Sequence, residues 1–517
     1  MFKKYLISIV VLSLFCIMNV YAQFAGGSGT EVDPYQVATA EHLNNVRDYL
    51  NSYFIQTASI DLGVAPWNIN EGWEPIGTYD NSFTGSYDGN GFFIGNLMID
   101  RTTTNYVGLF GYFYGAILQN IEIENIDVTG NDHVGGLVGS QSYSSNVSNS
   151  HTSGIVVGFG NYVGGLVGSS GLSTIINSYA NCSVTGDSYI GGLVGQNYTA
   201  SVSNSYAIGS VEGYDGKIGG LVGYNGWSST IINSHANCSV TGTSYYSHSI
   251  GGLVGINNSS TVTSCYTIGS AHGSGAGSRY RVGGLVGWNC NSIITDSYST
   301  SSVLGSGQVG GLVGFNNFST ISNTYAIGNV YGSSSSIGGL VGSSDSTSVT
   351  NNSYWNTSTT GQSTSNGGFP RTTDEMTYPY ATNTYLFWDF TDIWADDENY
   401  TINNGYPYLY QYPLSVEEFI VTFPKSVISN FPNPFNPETT ISLSLYAHDI
   451  NKPISVEIYN LKGQLVRTLF NEIAKKRAIY ITWNGTNNKD VRISSGIYLI
   501  RLKTATTNVS RKVMMIK

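Results

Sequence analysis

Charge is scarce in this sequence: Asp, Glu, Lys and Arg make up 11% of 517 residues, and the formal balance is -11. A chain so poor in basic residues cannot lay down the cationic footprint that nucleic acid or anionic lipid requires, which excludes both as partners. Long apolar runs are lacking too: after Val20 no stretch approaches the roughly 20 apolar residues of a transmembrane helix. Cys182, Cys238, Cys265 and Cys290 are too few and scattered for a disulfide framework, and no CxxC spacing suggests zinc. Cys182 and Cys238 recur at the same place in Ala-Asn-Cys-Ser-Val-Thr-Gly, as small buried apolar residues would. The seven histidines are isolated and no His-Glu-x-x-His occurs, so neither a zinc peptidase nor any cofactor is expected. Carboxylates are equally dispersed. The densest run, Asp396-Asp397-Glu398, reads as a solvated loop, Asp80, Asp88 and Asp100 are scattered, and no catalytic residue is assigned.

What the chain has instead is 63 Gly and 38 Tyr, the composition of short strands separated by tight corners. The pentapeptide Gly-Gly-Leu-Val-Gly starts at Gly135, Gly164, Gly191, Gly219, Gly251, Gly283, Gly310 and Gly338, after a degenerate copy at Val107–Gly111. Its leucines, with Leu109 of that copy, are Leu109, Leu137, Leu166, Leu193, Leu221, Leu253, Leu285, Leu312 and Leu340, spaced 27 to 32 residues apart. An Asn-Ser-Tyr element recurs between them and supplies Tyr179, Tyr206, Tyr298 and Tyr325. About three strands per unit, and no stretch for a helix of typical length, make each unit too small to bury an apolar face alone. Stacked units would bury one continuous column. The pattern predicts an all-β, right-handed parallel β-helix of about nine coils, a rod on the order of 45 Å, with the leucines inside and the Asn of Asn-Ser-Tyr in a ladder at a corner. A propeller is the competing architecture, although 28 residues is short for a four-stranded blade. Whether the tyrosine ladder faces solvent, as a binding strip for sugar or protein, or faces inward as packing is open, because alternation alone does not fix register.

The ends differ in texture. Residues 1–22 read as a signal peptide, with Lys3 and Lys4, an apolar run and Val20-Tyr21-Ala22 before cleavage between Ala22 and Gln23. Cys16 invites a lipoprotein reading that bulky Phe15 disfavours. Residues 23–105 form an N-terminal cap with one helix within Thr39 to Phe54, Thr39 being its N-cap. Residues 106–345 are the repeats, and 346–413 are a C-terminal cap whose Trp355, Trp388 and Trp394 would plug the column. Residues 414–517, where lysine and arginine cluster, alternate as six or seven strands of a small Ig-like β-sandwich.

These motifs carry two resemblances. The pentapeptides, the leader Trp73 to Gly77 through Tyr87 to Gly91, and the closing Tyr354 to Asn356, Gly361 to Ser363 and Gly405 to Leu409 resemble GLUG-motif proteins, large secreted bacterial surface proteins of adhesin type. The C-terminal hundred residues resemble the sorting domain of the type IX secretion system of Bacteroidetes-like bacteria. The match lies in Phe431 to Pro437 with Pro432, Asn433 and Pro434, in Val456 to Gly463, Trp483 to Gly485, Ser494 to Tyr498 with Gly496, and in the closing Lys512 to Lys517. The resemblances imply the type IX machinery as a partner, passage across the outer membrane, removal of the sorting domain and attachment of the remainder to the cell surface. The expected role is a non-catalytic adhesin or binding scaffold with a polysaccharide or cell-surface ligand; a carbohydrate-active enzyme and a structural coat protein are the alternatives.

Overall fold

The computed structural model describes residues 23–243, 248–273, 280–410, 427–431, 435–445, 452–460, 462–476, 478–504 and 508–516. The signal segment and Ala22, together with Pro432, Asn433, Pro434 and Lys517, lie outside the described residues. The described chain is almost entirely β, with three short α-helices.

Alternation decides the strands. From Ser188 to Gly213, Ile190, Val194, Val202 and Val211 are buried while Tyr189, Gln196, Ser201 and Glu212 remain in contact with water. Four strands result, Ser188–Gly191, Val194–Tyr198, Ser201–Ser203 and Tyr206–Gly213, one more than the sequence pattern implied. The extra break is Asn204, whose φ of 49° turns the chain between the last two. Each strand pairs in parallel with its counterpart one coil on, setting Ile190 against Ile218, Val194 against Val222, Val202 against Ile231 and Val211 against Val240. Pairing therefore runs from coil to coil, the order of a parallel β-solenoid of about ten turns and not of a propeller.

All nine leucines are fully buried. They sit between the first and second strands, and their backbones carry the ladder through the corner: the Leu193 N–H donates to the Leu221 carbonyl at 3.0 Å and Leu221 to Leu253 at 2.9 Å. The pentapeptide glycines serve close approach, since none of them has a positive φ. A Cβ on Gly191 would lie 2.1 Å from the Val194 carbonyl oxygen, and one on Gly220 would lie 2.0 Å from that of Gly252. Positive φ falls instead on asparagines of the Asn-Ser-Tyr corner, 48° at Asn149, 51° at Asn177 and 51° at Asn323. Their side chains form the expected ladder, Asn204 Nδ2 donating to Asn177 Oδ1 and Asn177 Nδ2 to Asn149 Oδ1, each at 3.1 Å.

The expected N-terminal helix is short. Thr39 caps it, its hydroxyl accepting from the His42 N–H, but the α-helix spans only Ala40–Asn45 and passes through a 3₁₀ turn into a strand at Tyr53–Gln56. That strand pairs in parallel with Tyr35–Val37 and with Ser86–Asp88, which pairs with Ile117–Gln119, so the ladder reaches back into the stretch read as a cap. At the other end Trp355 lies on Gly339, and the Leu340 and Val341 N–H groups donate to Ser365 Oγ, closing the last coil.

By contact the chain divides into two units, Met1–Phe419 and Ile420–Lys517. The second holds a three-stranded and a four-stranded antiparallel sheet around Ile441, Leu443, Val456, Trp483 and Ile500. Gly463 makes the turn between Pro453–Asn460 and Leu465–Ile473 with a φ of 77°. Gly496 opens the strand Gly496–Lys503, and Lys512 lies opposite Leu499 on the neighbouring strand.

Candidate binding surface

Each tyrosine of the Asn-Ser-Tyr element is followed by a residue that enters the column: Ala180 after Tyr179, Ala207 after Tyr206, Ser299 after Tyr298 and Ala326 after Tyr325, all fully buried. Alternation then points the tyrosines out of the solenoid. They stack face to face in register, from His151 through Tyr179, Tyr206, His235, Tyr266 and Tyr298 to Tyr325, with centroids 4.3 to 5.1 Å apart and planes within 11°.

The stack is open at one end and covered at the other. Tyr179 and Tyr206 are half-buried, whereas Tyr298 and Tyr325 are fully buried beneath Tyr385, Trp388, Trp394 and Tyr406. Trp388 and Trp394 thus do not plug the column as the sequence suggested; they lie against its side, because the outward tyrosines offer them a larger apolar surface than the closed end. Asn403 Nδ2 donates to the Tyr325 hydroxyl at 2.6 Å, and that hydroxyl donates to the Pro407 carbonyl at 2.7 Å. Asp397 is not the solvated residue expected. It is buried, and although burial raises its pKa, backbone N–H donors from Gly405, Asn403, Ile402 and Thr401 outweigh that and hold it low. Its role is to shape the loop that carries Asn403.

Burial lowers the pKa of His235 from 6.5 to about 3. The unfolded chain takes up that proton below its ordinary value and the folded chain does not, so stability present near neutrality is lost as pH falls from 6.5 towards 3. Replacing His235 by phenylalanine is expected to flatten the dependence of the melting temperature on pH across that window. Parallel melts of both chains at several pH values check it.

Three cysteines are buried, with thiols pushed up to about 12 by desolvation. Cys182 and Cys238 lie in one column, separated by Gly209, which places them two coils or about 9.6 Å apart, too far for a disulfide. Among the described residues no group of histidine, cysteine, aspartate and glutamate could hold a metal ion. A second polar ladder, unmarked in the sequence reading, runs inside the solenoid: Asn197, Asn225, Asn257, Asn289 and Asn316 are fully buried and linked Nδ2 to Oδ1 at 2.8 to 3.0 Å. Its signal is an Asn at the same offset behind each of five pentapeptides.

Comparison with known proteins follows the same division. The family model for the GLUG motif matches residues 186–212 and 278–304, and that for the secretion system C-terminal sorting domain matches 429–517. A protein assigned as a Gly-rich membrane protein of Evansella cellulosilytica is 44% identical over 109 residues, 21% of this chain and 12% of that protein. Halomucin of Haloquadratum walsbyi is 37% identical over 142 residues, 26% of this chain and 2% of its own length. The chain therefore spans a small part of either relative. Among solved structures, a protein assigned as an immunoglobulin A1 protease from Bacteroides ovatus aligns with 75% of this chain and 96% of its own at 19% identity and a TM-score of 0.33, a likeness that assigns no reaction here. Among the described residues no helix is long and apolar enough to cross a membrane. The chain carries GLUG motifs in a parallel β-solenoid and ends in a sorting domain, which directs it through the type IX secretion system to the cell surface.

Proposed function

We propose that this chain is a non-catalytic binding scaffold at the cell surface, whose solenoid engages polysaccharide or the surface of another cell. The observation that carries the reading is one long face whose own strands contribute almost no charge, the Arg281 guanidinium of a first strand lying over Trp288 and Phe315. The second and third strands and their corners, at 138–150, 167–178, 194–205, 222–234, 254–265, 286–297 and 313–324, contain no Lys, Arg or Glu, and their one Asp is the nearly buried Asp296. Such a face offers amides, hydroxyls and aromatic rings, the groups that recognise neutral polar ligands. The adjoining tyrosine stack contributes less, because neighbouring rings occupy each other's faces and leave Tyr179 and Tyr206 only their edges and hydroxyls.

The test is a glycan array probed with the purified chain, together with an assay of the same polysaccharides for new reducing ends or unsaturated products. Retention without turnover is the expected result. Turnover abolished by a carboxylate replacement would make the chain an enzyme, and no retention on any glycan or cell surface would leave a coat protein.

A further inference from the structure

The residue eight positions after the first glycine of each pentapeptide sits at the corner between the second and third strands. In seven successive coils it is Tyr143, Leu172, Thr199, Trp227, Ser259, Asn291 and Phe318, and all seven have φ between 50° and 59°. This left-handed conformation disfavours side chains other than Asn, Asp and Gly, most of all bulky ones. The molecule contains its own control. At the neighbouring corner, with the same φ, the chain uses asparagine at Asn149, Asn177, Asn204, Asn233, Asn323 and Asn352. At the first corner it instead holds a tyrosine, a leucine, a tryptophan and a phenylalanine, 55%, 46%, 58% and 60% exposed respectively.

These four side chains meet two costs at once, strained backbone and apolar surface left in water, against partial packing only, as where Tyr143 stacks on Tyr114 at 4.6 Å. Backbone strain combined with exposure marks a ligand-binding position. The row also has company. Tyr198, 41% exposed, has its ring centroid 6.1 Å from that of Trp227. Beside the row the third strands present Thr174, Ser201, Thr230 and Thr261, partly buried and in register from coil to coil, then the exposed Ile293 and after it Thr320.

Resting on the binding-scaffold reading, we propose that this corner is a binding strip for a neutral polysaccharide lying along the solenoid. Trp227, Phe318, Tyr143 and Leu172 contact the apolar faces of sugar rings, and the threonine and serine hydroxyls take up their hydroxyl groups. An anionic polymer would require several lysines or arginines, whereas the strands of this face contribute none and the cation over it is Arg281, held on the rings of Trp288 and Phe315.

The test separates binding from folding, because asparagine suits the left-handed corner better than tryptophan or phenylalanine does. The full chain and a variant carrying Trp227→Asn and Phe318→Asn are compared for retention on cellulose, starch and a neutral β-glucan, with alginate as the anionic probe, and for melting temperature. Loss of binding to a neutral glycan by about tenfold or more, with an unchanged or higher melting temperature, is the expected outcome. Unchanged glycan binding by the variant overturns the strip but leaves the scaffold reading standing. Absence of binding by the native chain to these glycans overturns the strip, and absence from the glycan array and from cell surfaces as well overturns the scaffold reading. Retention on alginate alone, or a change in self-association in place of glycan binding, overturns the choice of ligand.

Discussion

Gly220→Ala is expected to unfold the middle of the solenoid at temperatures where the native chain is intact. The added Cβ would stand 2.0 Å from the Gly252 carbonyl oxygen and 3.1 Å from its carbon, with Ala236 Cβ at 3.0 Å on the other side. Both coils are held by parallel ladders to their neighbours, so the backbone atom in the way cannot withdraw without breaking hydrogen bonds such as Leu221 to Leu253. Overpacking against backbone costs about 3 kcal/mol or more. Because coils are coupled to their neighbours, the transition should also split or broaden. Gly171→Ala is the control: its Cβ would meet nothing nearer than a carbonyl oxygen at 3.9 Å, and a change within about 0.5 kcal/mol is expected. Circular-dichroism melts of the two variants decide the matter, and equal melting would refute the close-approach account of the pentapeptide.

Tyr325→Ala is expected to detach the covering segment at 372–409 from the side of the solenoid. The ring lies 4.9 Å from Tyr298 and within 6.2 Å of Trp388, Trp394, Tyr385 and Tyr406, and its hydroxyl joins Asn403 to Pro407. Removing a fully buried aromatic of this kind costs about 4 kcal/mol. Tyr325→Phe keeps the stack and loses only the hydroxyl, for about 1–2 kcal/mol. Limited proteolysis should cut within 372–409 readily in the alanine variant, slowly in the phenylalanine variant and least in the native chain. Equal cutting in all three would show that the tyrosine does not hold the cover.

Much of this architecture is written in spacing. Leucines at intervals of about one coil have to meet once the coils stack, and the six or seven strands expected from alternation in the C-terminal hundred residues correspond to seven observed strands among the described residues. Thr39 declared its helix start because capping is local, whereas the helix's early end at Asn45 was set by a parallel partner for Tyr53–Gln56. The direction of the tyrosines was not legible, since a one-residue slip exchanges Tyr206 with Ala207. Nor was the resting place of Trp388 and Trp394, which is fixed by rings distant in sequence such as Tyr298 and Tyr325. The strained corner at Tyr143 and Trp227 escaped notice because φ leaves no trace in composition when the residue is not Gly or Asn.

The leucine interval is 32 residues at two successive steps, Leu221 to Leu253 and Leu253 to Leu285. Yet Gly213, Gly242 and Gly273 remain in register before the extra residues, and Gly219, Gly251 and Gly283 after them. Most of the additional length enters at one seam, between the fourth strand of a coil and the first strand of the next, with one residue added at the corner after Gly226. A foreign peptide grafted at that seam, between Tyr214 and Gly216 for instance, should be carried outward without disturbing the coils on either side, which makes this molecule a natural frame for displaying epitopes on a bacterial exterior.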